Sequence, residues 1–178
     1  FFDIEIDKIN RPQRQLPAEK ISIKKAYIIY VVFILISLIL SLILSSRVFI
    51  IVLFSNLLLF LYSKYLKKMP LVGNTTVAFL TGLVFIFGGV VVGNPSAAIV
   101  PAIFAFLINL IREIVKDLQD IEGDKNAGLL TFPIKFGFLR SKFIIAFFAF
   151  ALIIFTFFPF ITQYYKIEFF VILMFFIN

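Results

Sequence analysis

The sequence predicts an all-α fold, a polytopic transmembrane helical bundle. Hydrophobic residues make up 62% of the chain and its mean hydropathy is +1.08, far above the values of an ordinary globular domain. Five apolar runs approach or reach the length of about 20 residues that a helix needs to cross a bilayer. In chain order they are residues 26–45, 48–63, 75–92, 97–115 and 143–162. A soluble core can hold one such helix, but not five in series.

Both ends of the chain carry incomplete patterns. A sixth apolar run begins at Phe169 and continues to Ile177, next to the last residue. The first residues already belong to an acidic motif, and no initiator Met or signal peptide precedes it. We therefore expect residues 1–178 to form a single transmembrane domain that is truncated at both ends, an internal fragment of a longer protein.

The charged residues predict which side of the membrane each connection faces. If the five runs alternate across the bilayer, every Lys and Arg except Arg47 and Lys166 lies on one side. By the positive-inside rule that side is cytoplasmic. Every Asp and Glu except Glu168 falls on it too, although a purely topological signal would enrich only basic residues. We expect a multi-pass protein of the cell inner membrane, with a polar site that faces the cytoplasm.

Two groups of aspartates, here called the first and second acidic ladders, flank the first four apolar runs. The first ladder is Asp3 and Asp7, spaced i, i+4; the second is Asp117, Asp120 and Asp124, spaced i, i+3, i+7. On a helix each set falls on one face. Carboxylates aligned in this way repel one another unless a cation lies among them, and uncompensated charge beside a bilayer is costly. All five aspartates are therefore predicted metal ligands.

The missing residue types restrict the chemistry of this metal. The chain has no cysteine and no histidine, which excludes thiolate catalysis, the usual zinc ligands and the commonest general base. A cation held by oxygen atoms alone is a hard one, which favours Mg²⁺ or Ca²⁺ over zinc or copper. The formal net charge of +7 resides in short connections, where membrane topology and anionic ligands explain it better than nucleic acid does.

Polar motifs occur at three places on the predicted cytoplasmic side. The first ladder continues into a segment whose two prolines predict an extended loop with paired arginines; its residues are Asn10, Arg11, Pro12, Arg14 and Pro17. A second cluster closes the second span and contains Tyr62, Ser63 and Lys67. Asp120 and Asp124 follow the fourth span. In this order, the three motifs resemble those of the UbiA superfamily of intramembrane prenyltransferases.

The resemblance covers essentially the whole chain, from the second helix of a nine-helix fold into the eighth. The first motif of the family is N-D-x-x-D-x-x-x-D with the extension N-R-P-x-R-x-x-P, and the second motif of the family is D-x-x-x-D. The resemblance implies a prenyltransferase that uses Mg²⁺ to move a prenyl group from a polyprenyl diphosphate to a lipid or aromatic acceptor. It implies catalytic roles for Asp3, Asp7, Lys67, Asp120 and Asp124.

Residues 112–124 most resemble the branch of the family that prenylates a glycerol-phosphate ether lipid, so geranylgeranylglyceryl phosphate is the expected acceptor. Prenylation of an aromatic quinone precursor or of a tetrapyrrole by the same fold is the alternative. The predicted substrate-binding residues combine motif positions with nearby cations: Asn10, Arg11, Arg14, Tyr62, Ser63, Arg112 and Lys116. The positive-inside rule is another explanation for Arg11 and Arg14, as an aromatic belt is for Tyr62.

A cation-coupled membrane transporter is the alternative from another functional class. A transporter would carry ionisable residues near the middle of the bilayer, or broken helices at corresponding positions of two repeats. Away from their ends the five runs contain no Asp, Glu, Lys or Arg, and Asn56 and Asn109 are their most polar residues. Charged residues that lie together at one end of the bundle favour a site that binds a diphosphate headgroup over a transport path for cations.

Overall fold

The computed structural model describes residues 4, 7–8, 12–126, 128–168 and 171. Across the described part of 12–168 the chain forms seven α-helices, two 3₁₀ turns and no strand. The helices are α1 (Ile23–Leu44), α2 (Ser46–Lys64), α3 (Val72–Val91), α4 (Ile99–Gln119), α5 (Ile121–Asn126), α6 (Phe132–Phe136) and α7 (Phe138–Ile161). The 3₁₀ turns, Leu66–Lys68 and Ser96–Ala98, precede α3 and α4.

Five of these helices, α1 to α4 and α7, are long and apolar enough to cross a membrane, which confirms the five predicted spans. The fifth begins earlier than predicted, because α7 starts at Phe138 and includes Arg140 and Lys142. Long basic side chains cover apolar surface with their stems and keep their charges at the interface, so they need not end a helix. The predicted sixth run lies outside the described residues except for Val171.

The long helices pack as a row in which each contacts its neighbours in chain order, with α3 and α4 forming the most extensive pair. Glycine explains their close approach: a Cβ added at Gly82 would lie 2.8 Å from the carbonyl oxygen of Ala102 on α4. Larger residues at this position would push the two backbones apart. A small buried core of Ala78, Leu110 and Ile114 joins the same two helices near their charged ends.

The outer faces of the spans are apolar. Phe33, Ile43 and Phe143 are 67%, 75% and 76% exposed, and many other large apolar side chains accompany them. A water-soluble monomer rarely exposes contiguous apolar surface of this extent, whereas helices in lipid require it. The exposed surface therefore belongs in a bilayer or against further helices.

Two local predictions are wrong. The second acidic ladder does not lie on one continuous helix: α4 ends at Gln119, Asp120 has the non-helical angles φ −98° and ψ 12°, and α5 starts at Ile121. Acidic side chains are unfavourable at a helix C-terminus and favourable in a first turn. The break moves Asp124 from the end of one helix into the first turn of another.

The segment after the first ladder is not extended. Residues 12–20 form successive turns, in which the Ala18 amide donates to the Arg14 carbonyl at 2.8 Å and the Lys20 amide to the Gln15 carbonyl at 3.0 Å. The fixed φ of proline suits the second position of a turn as well as an extended chain. The turns keep Arg14 close to the ladder.

Candidate active site

A cavity of about 570 Å³ opens where α2 and α4 end and α3 begins. Its wall contains both acidic and basic side chains. The carboxylates are Asp7, Glu113, Asp117, Asp120 and Asp124, and the basic residues are Arg14, Lys67 and Lys116. Three parts of the chain thus contribute charge to one space, and the first and last of them lie about a hundred residues apart in sequence.

The structure brings most of the predicted site residues to this cavity. Those that line it are Asp7, Arg14, Tyr62, Lys67, Lys116, Asp117, Asp120 and Asp124. Two predicted residues, Ser63 and Arg112, are not among the lining residues. Asp3, Asn10 and Arg11 lie outside the described residues. The two ladders therefore meet in one cavity through Asp7 on one side and the second ladder on the other.

The Asp7 carboxylate is paired with Arg14. One guanidinium nitrogen, Nη1, donates to both carboxylate oxygens at 3.0 and 2.9 Å. The Arg14 side chain is 51% exposed and that of Asp7 is 21% exposed, so water screens the pair and its strength is modest. A cation at Asp7 could replace the guanidinium and leave Arg14 available for an anion.

Glu113 is a buried carboxylate, 7% exposed, that accepts from two cations. Arg112 Nη2 lies 3.0 Å from one of its oxygens and Lys116 Nζ lies 3.2 Å from the other. The Arg112 side chain is 68% exposed and is not among the residues that line the cavity. A buried charge needs such partners, and the pairing orients Lys116 at the cavity.

Asn74 is a site residue that the sequence analysis missed. It lies in the first turn of α3, is buried, and its Nδ2 donates to Asp117 Oδ2 at 2.8 Å across the α3–α4 interface. Its sequence signal was a side-chain amide at the start of an apolar span, on the side that carries the acidic ladders. The amide fixes the orientation of Asp117.

We expect the substitution Asn74→Leu to lower kcat/KM by about 10- to 100-fold, because hydrogen bonds to charged groups contribute about 1.5–3 kcal/mol. Steady-state kinetics at several magnesium concentrations would measure the loss. Asn56→Leu is the matched control, since the Asn56 amide donates within α2 to the Val52 carbonyl at 2.9 Å. Equal losses in the two variants would contradict a specific role for Asn74.

A close backbone contact positions Lys67. A Cβ at Gly73 would lie 3.0 Å from Lys67 Cα and 3.1 Å from the Leu66 carbonyl oxygen, so the 3₁₀ turn rests directly on α3. Leu71, which joins them, has φ +63°, an unusual conformation for a branched side chain. The tight connection fixes the backbone of Lys67, which lines the cavity together with the second ladder.

Comparison with known proteins gives the family of this chain. A sequence model of the UbiA prenyltransferase family matches residues 1–178. The chain belongs to the UbiA prenyltransferase family. With its five long apolar helices, this UbiA-family chain is an integral membrane protein.

Similar proteins point to one branch of the UbiA family. The chain is 45% identical over 159 residues to a digeranylgeranylglyceryl phosphate synthase of Pyrococcus horikoshii, across 89% of this chain and 57% of that protein. It is 44% identical over 135 residues to a protein of the same name from Methanococcus aeolicus, across 76% and 48% respectively. These values confirm the resemblance to this branch. They also mean that the chain spans only 48% to 57% of the length of these two relatives.

A solved structure supports the same assignment. It comes from a study of the biosynthesis of digeranylgeranylglyceryl phosphate synthase in membranes, and it aligns with this chain at a TM-score of 0.78 and 38% identity. The alignment covers 93% of this chain and 59% of that one. The predicted transmembrane bundle of UbiA type is thereby confirmed.

The UbiA family implies magnesium, and the donor set of this cavity fits it. Burial raises the pKa of the Asp124 carboxyl, and the like charge of Asp120 raises it further, while Lys116 and Thr131 oppose the shift. The ionised carboxylate therefore lacks compensation that a cation would supply. Within the described residues no three carboxylates stand close enough to hold an ion by themselves. Mg²⁺ does not need such a cage, because it commonly combines one or two carboxylates with substrate phosphates and waters.

Proposed function

We propose that the protein containing this chain transfers a prenyl group from a polyprenyl diphosphate to the hydroxyl group of geranylgeranylglyceryl phosphate, with Mg²⁺ as cofactor. The observation that carries the proposal is the single cavity lined by Asp7, the second acidic ladder, Lys67 and Lys116. Relatives named digeranylgeranylglyceryl phosphate synthase support the choice of acceptor. The basic connections support a site at the cytoplasmic face of the membrane, and we assign that membrane as the cell inner membrane.

The reaction exchanges one carbon–oxygen bond for another. The bond between the allylic carbon and the diphosphate breaks, and its electron pair leaves on the diphosphate oxygen. The acceptor hydroxyl oxygen supplies the pair for the new ether bond and releases its proton to water. Magnesium, when bound at the carboxylates, would offset the negative charge that develops on the diphosphate.

The residues of this chain would bind and orient the diphosphate. Lys67 and Lys116 line the cavity and offer charged donors to phosphate oxygens. Arg14 becomes a third donor once a cation binds Asp7 and takes the place of the Arg14 guanidinium. Asn74 holds Asp117 in one orientation by its hydrogen bond across the helix pair. The apolar spans beneath would take the prenyl chain and keep water from the reactive carbon.

A product assay tests this proposal. The purified full-length protein would be offered geranylgeranyl diphosphate with either geranylgeranylglyceryl phosphate or an aromatic acid, with Mg²⁺ or with excess EDTA. We expect an ether-lipid product only with the glycerol phosphate and only with the metal. A prenylated aromatic product would assign the alternative acceptor class, and no product with either acceptor would contradict the proposed activity.

A further inference from the structure

Thr131 occupies an unusual position in the cavity wall. It directly precedes α6 as its N-cap residue, with φ −72° and ψ 166°. It is only 9% exposed, yet it lines the cavity together with the second acidic ladder. An N-cap threonine normally accepts a hydrogen bond from an amide of the first helical turn. The Thr131 side chain makes no such bond.

In the described part of the chain the Thr131 hydroxyl makes no hydrogen bond of standard geometry. Other buried hydroxyls behave differently: Thr76 donates to the Val72 carbonyl at 2.7 Å and Thr156 to the Leu152 carbonyl at 2.9 Å. Buried polar groups without partners are rare, because they lose their hydrogen bonds to water on folding and form none within the protein. A hydroxyl left in this state beside a polar cavity is available to a molecule that enters the cavity.

The surroundings indicate what such a molecule is. Asp124 lies close enough for the Thr131 hydroxyl to lower the pKa of its carboxyl, although the two side chains do not meet standard hydrogen-bond geometry. Lys67 and Lys116 line the same cavity. A hydroxyl can donate to an anionic oxygen where a carboxylate cannot. Because carboxylates and basic side chains line the same cavity, a phosphate oxygen accompanied by a divalent cation offers a partner to both kinds of group and to the hydroxyl.

We propose that Thr131 is a ligand-binding residue whose hydroxyl donates to an oxygen of magnesium-bound diphosphate. This assignment rests on the proposed function, because it deepens the description of the same site. A ligand-binding role for Thr131 differs from the role of a purely structural N-cap residue. A cap stabilises the ligand-free protein, whereas this hydroxyl gains its partner only with the ligand.

The test compares Thr131→Val with Thr131→Ser in the full-length protein, using inorganic pyrophosphate with MgCl₂ as the probe. Binding would be measured by isothermal titration calorimetry and melting with and without the probe by circular dichroism. We expect Thr131→Val to weaken binding by about 10- to 100-fold, the effect of losing a hydrogen bond to a charged group, and Thr131→Ser to restore it. Without the probe, Thr131→Val should melt close to wild type, because in the ligand-free protein the hydroxyl makes no hydrogen bond of standard geometry and valine keeps the shape of the side chain.

Thr156→Val is the matched control, because Thr156 is equally buried and its hydroxyl is already satisfied within α7. Its binding of the probe should equal that of wild type. Unchanged binding in Thr131→Val, alongside normal wild-type binding, would overturn the role of Thr131 and leave the proposed function intact. A lower melting temperature of ligand-free Thr131→Val, without rescue by serine, would also overturn it. Wild-type protein that fails to bind the probe would contradict the proposed function itself.

Discussion

Replacing either Asp120 or Asp124 by asparagine should lower magnesium-dependent turnover by about 10³-fold or more. A metal ion that offsets charge on a leaving group supplies several kcal/mol of transition-state stabilisation, and each 1.36 kcal/mol corresponds to about a tenfold change in rate. Asparagine keeps the shape of the side chain and removes the charge. The initial rate with labelled geranylgeranyl diphosphate, measured over a range of MgCl₂ concentrations, would report the loss.

Glu122→Gln provides the matched control for these two variants. Glu122 lies between them in sequence, is exposed and does not line the cavity. Its neutralisation changes the net charge of the connection by the same amount, so we expect nearly wild-type turnover. Wild-type rates in both Asp120→Asn and Asp124→Asn would refute the metal-binding role of the second ladder. A large loss in Glu122→Gln would instead indicate a general electrostatic effect.

Lys67→Met should raise the KM for the prenyl diphosphate by about 10- to 100-fold, the effect of losing a charged hydrogen bond to phosphate. The KM for the acceptor should change much less. Methionine keeps the length and apolar stem of the side chain, so the 3₁₀ turn against Gly73 should remain. Kinetics with each substrate varied in turn would separate the two effects.

Lys64→Met is the comparison for Lys67. Lys64 ends α2 and its Nζ lies 4.9 Å from the ring centre of Tyr65, and it is not among the residues that line the cavity. Its substitution should leave both KM values near those of wild type. An unchanged KM for the diphosphate in Lys67→Met would contradict the assignment of Lys67 to the diphosphate.

The spans and their connectivity could be predicted because they depend on local composition. A run of about 20 apolar residues is helical in a bilayer whatever its neighbours are. The alternation of spans then fixes which connections share a side. This was enough to bring Asp7, Lys67 and the second ladder toward one region, and the structure brings them to one cavity.

Contacts that depend on the rotation of each helix could not be predicted. The helices α1 and α2 carry apolar side chains on every face, so the sequences of these helices do not specify which face packs against the bundle. The Asn74–Asp117 bond joins residues 43 positions apart, and no pattern in either segment indicates the partner. Arg112 and Lys116 lie one turn apart and bind different oxygens of Glu113, yet only Lys116 lines the cavity, a difference that their spacing in the sequence does not predict.

The glycine contact between α3 and α4 has a mechanical consequence. Because Gly82 leaves no room between its backbone and the carbonyl of Ala102, these two helices can separate or slide only by losing dense contact along much of their length. They form a rigid wall beneath the polar pocket. Any adjustment to a ligand that enters or leaves then falls on the segments outside the long helices, which also carry Asp7, Lys67 and Asp124.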